Sequence, residues 1–246
     1  MDVLATWDDY DCGLNDGGEE FHKKKESQKA FLDFLKVPQN DHRRHQQGIY
    51  TSKTYTTAHG SVHIMILDTR YFRTALTRAK RANKKYQPNT YGEGTILGVE
   101  QWKWLTNQLH TSKFDFNVIL SSIQLLSDNH GYESWGNFPH EVDRLKKLIK
   151  DSNAAGVLIL SGDRHISEYS STTIEGVSFP LIDFTSSGLT HSYTGFKGEE
   201  NPHRVGKVVS ALSFGVLKFD FKDQKVTMQM RGKDNSLQQE YIQSYN

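Results

Sequence analysis

Cysteine and long apolar runs are what this sequence has least of. Cys12 is the only cysteine in 246 residues, which excludes an intrachain disulfide framework, a thiolate zinc cluster and an iron–sulfur site held by this chain alone. The longest apolar runs have the length of strands and fall short of the roughly 20 residues that a membrane-spanning helix needs. Excess charge is also missing, because 30 Lys and Arg stand against 29 Asp and Glu. This balance argues against broad binding to nucleic acid or to a membrane surface.

The residues that are present suit a folded domain, with 36% hydrophobic and 11% aromatic content. Hydrophobic periodicity predicts helices at 26–36, at 98–109 and from Pro139, a hairpin of 48–57 with 61–68, and strands at 117–122 and 156–161. After Gly162 the pattern predicts strands at 166–174, 180–185, 210–221 and 225–231, the last two forming a hairpin. Helix–strand units followed by antiparallel strands predict a single α/β domain over residues 1–246, with one large mixed sheet or two packed sheets.

Two strand-end loops carry most of the residues that could do chemistry. Asp8, Asp9 and Asp11 follow the strand-like residues 3–6, and such close carboxylates favour either a hard cation or an ordinary Asx turn. Asp163 and His165 follow the apolar strand at 156–161, where they could ligate the same ion, or simply form a turn. Because ligands in α/β sheets gather beyond the carboxyl ends of strands, we expect Asp9, Asp163 and His165 to converge.

A basic stretch follows residues 67–69 and contains no acid: Arg70, Arg73, Arg78, Lys80, Arg81, Lys84 and Lys85. A run of one charge is most often a solvated loop. Arg70 is the exception, because at a strand end its guanidinium could pair with Asp68 or clamp a phosphate. Arg164 could contact an anion in the same way. His191 lies among Ser, Gly and Thr residues that let a backbone approach a ligand closely, although a capped loop explains it equally well.

Several short motifs together resemble one known family. They are Ala-Thr-Trp-Asp-Asp-Tyr-Asp at 5–11 with Gly13, Asn15 and Asp16, Asp-Thr-Arg-Tyr-Phe-Arg at 68–73, Gln-Trp-x-Trp-Leu at 101–105, Ser-Gly-Asp-Arg-His at 161–165 and Ser-Ser-Gly-Leu-Thr-His at 186–191. In this order they resemble the PhoD-like alkaline phosphatases, a branch of the calcineurin-like metallophosphoesterases. The resemblance covers most of the chain.

The resemblance implies an α/β fold with a two-sheet core flanked by helices, and hydrolysis of a small phosphomonoester or phosphodiester. It implies divalent or trivalent metal ions, iron and/or calcium, with zinc or manganese as alternatives. It also implies export from the cytoplasm, as is common in the family. Carried over by motif, the metal ligands are Asp8, Asp9, Asp163 and His165, the substrate-binding residues are Asn15 and His191, and the catalytic residues are Tyr10, Arg70 and Arg164.

Two features depart from the family pattern. Tyr10 stands where the family usually has His, and a tyrosine is a weaker acid than imidazolium. An upstream Gly-Asp motif is absent, because only six residues precede Trp7. We therefore predict a phosphatase chain without its N-terminal strands, which would hold at most one ion weakly, hydrolyse esters poorly and associate or aggregate. The alternative is a non-catalytic remnant that binds phosphate or a polyanion through Arg70, Arg164 and the basic stretch.

Overall fold

The structure, a computed structural model, describes residues 2–80 and 83–246. Its centre is a seven-stranded sheet in the order β1-β2-β5-β6-β8-β7-β9. The strands are β1 (Thr51–Thr56), β2 (Ser61–Ile66), β5 (Phe116–Leu120), β6 (Val157–Ser161), β7 (Ser167–Thr172), β8 (Leu181–Ser186) and β9 (Arg204–Val209). Strands β2, β5, β6 and β8 run parallel, and β1, β7 and β9 are antiparallel to their neighbours. The four parallel strands therefore bring their carboxyl ends to one edge of the sheet.

A second sheet packs on one face of the first. It contains β10 (Ser213–Asp220), β11 (Lys225–Gly232) and β12 (Leu237–Ser244) in that order, all antiparallel. The ring of Phe219 lies 5.2 Å from that of Phe116 on β5, and the Tyr169 hydroxyl on β7 donates a hydrogen bond to the Met228 carbonyl. The expected two-sheet core is therefore confirmed, with seven strands facing three.

Helices cover the opposite face. They are α3 (Gly98–His110) and α4 (Pro139–Ser152), and the side chain of Gln108 on α3 contacts His63 of β2 at 2.9 Å. The short α1 (Asp9–Cys12) and the longer α2 (Lys24–Phe34) form a smaller apolar cluster with Trp7, Cys12 and Leu32. A two-stranded ribbon of β3 (Thr77–Arg78) and β4 (Tyr86–Gln87) and two 3₁₀ turns (His42–Arg44 and Trp135–Asn137) complete the elements. Among the described residues, no helix has both the length and the apolar character that crossing a bilayer requires.

Most of the predicted elements are confirmed, with several corrections. Residues 3–6 form no strand; the Thr6 hydroxyl donates a hydrogen bond to the carbonyl of Leu67, which follows β2. Helix α2 spans Lys24–Phe34, so it begins and ends two residues before the predicted bounds of 26–36. Four strands were not predicted: β3 and β4 have two residues each and show no pattern, and β9 and β12 show no clean alternation.

Candidate functional site

A groove of 740 Å³ lies where the carboxyl ends of β5 and β6 meet β10 of the second sheet. One end is apolar, with Leu120, Leu160 and Leu217 on its walls. The other end is polar and contains Asp8, Asp11 and Asp163. It lies at the carboxyl edge of the parallel strands, where the sequence predicts a site.

A buried ion network holds Asp8 at the polar end. The guanidinium of Arg70 donates to the carboxylates of both Asp8 and Glu133, and Arg73 Nε lies 2.9 Å from the second Glu133 oxygen. The side chains of Arg70 and Arg73 are 0% exposed and that of Glu133 is 1% exposed. Because Arg70 has no exposed surface in this arrangement, it acts here as the support of Asp8 and does not itself face the groove.

Asp8 and Asp163 are neighbours across the polar end. Desolvation raises the pKa of Asp163 well above its ordinary value, and the negative charges of Asp8 and Glu133 raise it further. Desolvation also raises the pKa of Asp8, against the opposing effect of Arg70. Asp163 has a left-handed backbone with φ of 68°, a conformation that the sharp turn after β6 imposes on the chain. Two close carboxylates without a full complement of partners favour a cation or a hydrogen-bond donor between them.

Asp9, Tyr10 and Asn15 lie close together on α1 and the loop after it. Their side chains form hydrogen bonds with one another or with nearby backbone groups. The Asp9 carboxylate accepts hydrogen bonds from the backbone N–H of Tyr10 at 2.7 Å and of Asp16 at 3.0 Å. The Tyr10 side chain is 75% exposed, and its hydroxyl donates to Asn15 at 3.0 Å. Asp9 therefore serves as the organiser of a turn here, which is the ordinary alternative to a metal ligand.

Arg164, His165 and His191 form a second group on the far side of Asp163. Arg164 donates to both oxygens of Glu199, at 2.7 and 3.0 Å, and lies over the ring of Tyr132 at 4.2 Å. The exposed rings of His165 and His191 meet edge to face with centroids 4.8 Å apart. The structure thus brings the two histidines together, although the groove lining contains neither of them.

These residues do not by themselves form a complete metal site. Across residues 2–80 and 83–246, no three His, Cys, Asp or Glu side chains come close enough together to hold an ion. Asp8, Asp9, Asp163 and His165 therefore do not form a preassembled cluster here, and their assignment as metal ligands stays a prediction. The physical reason is that Asp8 is paired with Arg70, Asp9 binds backbone amides and His165 turns toward His191.

Comparison with known proteins identifies the family. A model of the PhoD-like phosphatase family matches residues 5–237. The chain belongs to the PhoD-like phosphatase family. It is 29% identical over 158 residues to alkaline phosphatase D of Bacillus subtilis (strain 168), a match that covers 56% of this chain and 27% of that protein. A solved structure of PhoD superposes with a TM-score of 0.75 at 20% identity, covering 98% of this chain and 52% of that one. The chain therefore spans about half or less of the length of these relatives, and the second likeness shows the fold alone.

The structure shows where the basic residues between Arg70 and Lys85 lie and what they contact. The solvated-loop interpretation is wrong for Arg73, which is buried, and Arg70, the expected exception, is buried as well. Lys85 pairs with Asp16, and Arg78 lies over the Tyr86 ring at 4.9 Å. Arg81, also part of this stretch, lies outside the described residues. The stretch therefore works largely as structural support for the loop that carries Asp8 and Asp16.

Glu133 is the site residue that the sequence reasoning missed. It lies in the loop between β5 and α4, 63 residues from Arg70, and the motif comparison did not include it. The available signal was indirect: two arginines three residues apart after a buried strand need an acid if both are buried. Sequence alone does not say which acid supplies it.

Proposed function

We propose that this chain acts in metal-dependent hydrolysis of phosphomonoesters and phosphodiesters, as an alkaline phosphatase D type protein. The observation that carries the proposal is the pairing of Asp8 and Asp163 at the polar end of the groove, with Asp8 fixed by buried Arg70. Family membership supports phosphatase chemistry; the metal dependence and the diester substrate belong to the proposal. Location outside the cytoplasm is part of it too, and fractionation of the producing cells would test it.

The residues of this chain supply part of the site that such chemistry needs. The two carboxylates can orient a cation or a water at the strand ends, and Arg70 with Glu133 prevents Asp8 from moving. A third acidic or imidazole ligand is not among the described residues that face these two. The chain by itself is therefore expected to bind a metal ion weakly and to turn over substrate slowly at most.

The test combines metal titration with turnover of p-nitrophenyl phosphate and bis-p-nitrophenyl phosphate, using manganese, zinc, calcium and iron in turn. We expect weak binding of one ion and at most slow, chelator-sensitive turnover. Replacing Asp163 by Asn should lower the affinity by about tenfold or more, by analogy with disturbed metal ligands. The matched control is Asp223→Asn, since that carboxylate lies on the exposed β10–β11 turn with its side chain 52% exposed. Equal effects of the two substitutions would contradict the assignment.

The alternative function is phosphate or polyanion binding without turnover. The structure gives it less support, because Arg70 is paired with Asp8 and Glu133, and Arg164 is paired with Glu199. Cations that are already neutralised attract an anion weakly. Inorganic phosphate binding in the absence of any metal-dependent turnover would favour this alternative over hydrolysis.

A further inference from the structure

The guanidinium of Arg164 is bound less completely than that of Arg70. All three nitrogens of Arg70 donate to carboxylates, which belong to Asp8 and Glu133. In Arg164 only Nη2 donates, to the two oxygens of Glu199 at 2.7 and 3.0 Å. In the part of the chain that the structure describes, neither its Nη1 nor its buried Nε has a hydrogen-bond partner. Because a guanidinium binds a carboxylate or phosphate best through two nitrogens at once, Glu199 is an incomplete partner for it.

The main chain fixes Arg164 beside the polar end of the groove. Asp163 and His165, on either side of it, have left-handed backbones with φ of 68° and 54°, a conformation that costs energy in residues other than glycine. Asp163 lines the groove, and the positive charge of Arg164 partly offsets the raised pKa of its carboxyl. The Arg164 guanidinium also lies over the Tyr132 ring, 4.2 Å from its centroid. Arg164 is therefore held in place independently of Glu199.

Glu199 belongs to a segment with few ties to the rest of the protein. It lies in the connection of residues 187–203 between β8 and β9, and connections of this length usually serve function or move. Among the described residues, the hydrogen bonds that Glu199 accepts from Arg164 are the only ones that join residues 194–200 to atoms outside this connection. The neighbouring Gly198 has φ of 100°, and a Cβ there would meet no atom within 4 Å. Glu199 can therefore leave Arg164 without breaking another hydrogen bond to the rest of the protein.

We propose that Glu199 is an internal competitor for Arg164, which the phosphoryl group of a substrate displaces. In the free protein the Glu199 carboxylate holds the guanidinium. When a phosphoryl group enters beside Asp163, Nη1 and Nη2 of Arg164 donate to two of its oxygens, and residues 194–200 move away with Glu199. The ligand class is the phosphomonoester dianion, because its two charges outcompete the single charge of a carboxylate. This inference rests on the proposed function for the place of the phosphoryl group and adds the residue that controls its binding.

A purely structural ion pair between Glu199 and Arg164 is the alternative. In that case Glu199 helps to place Arg164, so removing its charge would leave phosphate affinity unchanged or lower it. Under competition, only the fraction of molecules in which Glu199 has left Arg164 can bind, and the apparent affinity is reduced by that fraction. Removing the charge of Glu199 then raises phosphate affinity. The two interpretations predict different outcomes for the same substitution.

Binding of inorganic phosphate to the 246-residue protein tests the proposal, followed by amide chemical shifts at about pH 8, where phosphate is mainly a dianion. We expect weak binding that shifts the amides of residues 163–165 and 196–200 together. Glu199→Gln should tighten it by about tenfold or more, since a neutral amide holds a guanidinium less strongly than a carboxylate does. The control Glu200→Gln removes the same charge at the next, exposed residue and should change the affinity by about twofold or less.

Two further measurements locate and classify the ligand. Adding Arg164→Gln to Glu199→Gln should abolish the gain in affinity, because the competitor matters only while the guanidinium is present. Dimethyl phosphate, with a single charge, should bind the unmodified protein about tenfold or more weakly than inorganic phosphate. If Glu199→Gln loses its native near-ultraviolet circular dichroism, the joint shift of residues 163–165 and 196–200 in the unmodified protein decides.

Several results would overturn the proposal: no phosphate binding to the unmodified protein or to Glu199→Gln, shifts confined to other residues, equal or weaker binding by Glu199→Gln, an equal gain in Glu200→Gln, or a gain that persists without Arg164. Dimethyl phosphate binding as tightly as phosphate would overturn the ligand class. Phosphate binding is measured without turnover, so a protein that shows the competition but hydrolyses no ester would contradict only the proposed hydrolysis.

Discussion

At the scale of single residues, Glu133 is a buried acid that pairs with two buried arginines. Its two oxygens face Arg70 and Arg73, all three side chains being buried. Glu133→Gln would leave a buried positive charge without its partner, and such losses cost about 3 to 5 kcal/mol. We expect urea unfolding to show a loss in this range. The control Glu100→Gln, which breaks an exposed pair with Lys103, should change stability by about 0.5 kcal/mol or less. Similar losses in the two variants would contradict the role of the network.

Asp183 gives the protein a pH-dependent stability. Burial raises its pKa from 3.8 to about 6, although its carboxylate accepts from Ser161 and from the amides of Leu125 and Leu126. A raised acid pKa means that the folded state binds the proton more tightly. The stability that this tighter proton binding gives the folded state is therefore fully present below pH 3.8, and it is lost as the pH rises through about 6.

Asp183→Asn isolates this effect, because an amide can still serve all three partners without ionising. The stability difference between the unmodified protein and the variant should change by about 2.4 kcal/mol between pH 4 and pH 7, in favour of the variant at the higher pH. Unfolding in urea at a series of pH values measures it. A difference that stays constant with pH would show that Asp183 does not titrate in this range.

The residue-level site was only partly predictable for a physical reason. Asp8 and Asp163 were predicted at strand ends, and the groove contains both. The ion partners of Arg70 and Arg164, namely Glu133 and Glu199, come from loops far along the chain. No local pattern specifies which distant carboxylate a buried guanidinium finds.

At the scale of elements, Gln101 joins helix α3 to the end of β2. Its amide accepts from the Asp68 N–H and donates to the Asp68 carbonyl, both at 2.8 Å. Gln101→Leu would keep the volume but leave both backbone groups unpaired, at a cost of about 1 to 3 kcal/mol each. We expect a clear fall in the thermal midpoint and faster exchange of the Asp68 amide. Asn107→Leu, at an exposed position of the same helix, is the control. An unchanged exchange rate of the Asp68 amide would contradict the role given to the two Gln101 hydrogen bonds.

Elements were predictable where one face is buried against the core. Helices α3 and α4 and strands β5 and β6 carry continuous or periodic apolar residues, and all four were predicted. Strand β9 has no clean alternation and β12 is mostly polar, and both form at sheet edges, so their pairing partners decide the structure and the pattern does not. The order of the sheets follows from long-range pairing and was likewise beyond the sequence.

At the scale of the whole molecule, the open edge of β10 should govern solubility. Edge strands above apolar surface promote irregular association on heating, and an inward lysine opposes it. We expect Leu217→Lys to raise the onset temperature of light scattering at equal protein concentration. Ile242→Lys, on the opposite edge of the same sheet, should raise it less. If both variants raise the onset equally, added charge alone explains the effect.

The labelling rate of the Cys12 thiol can be used to follow opening of the smaller apolar cluster, which contains Trp7, Cys12 and Leu32. The Cys12 side chain is 0% exposed, and burial together with the negative charge of Asp68 raises its pKa to about 12. Since the thiolate is the reactive form, a disulfide reagent such as Ellman's should react only when this cluster opens. We expect slow single-exponential labelling in native buffer and rapid labelling in urea. With one thiol per chain, every absorbance trace reports the opening of this one part of the protein. Equal rates in both solutions would mean that the cluster is already open.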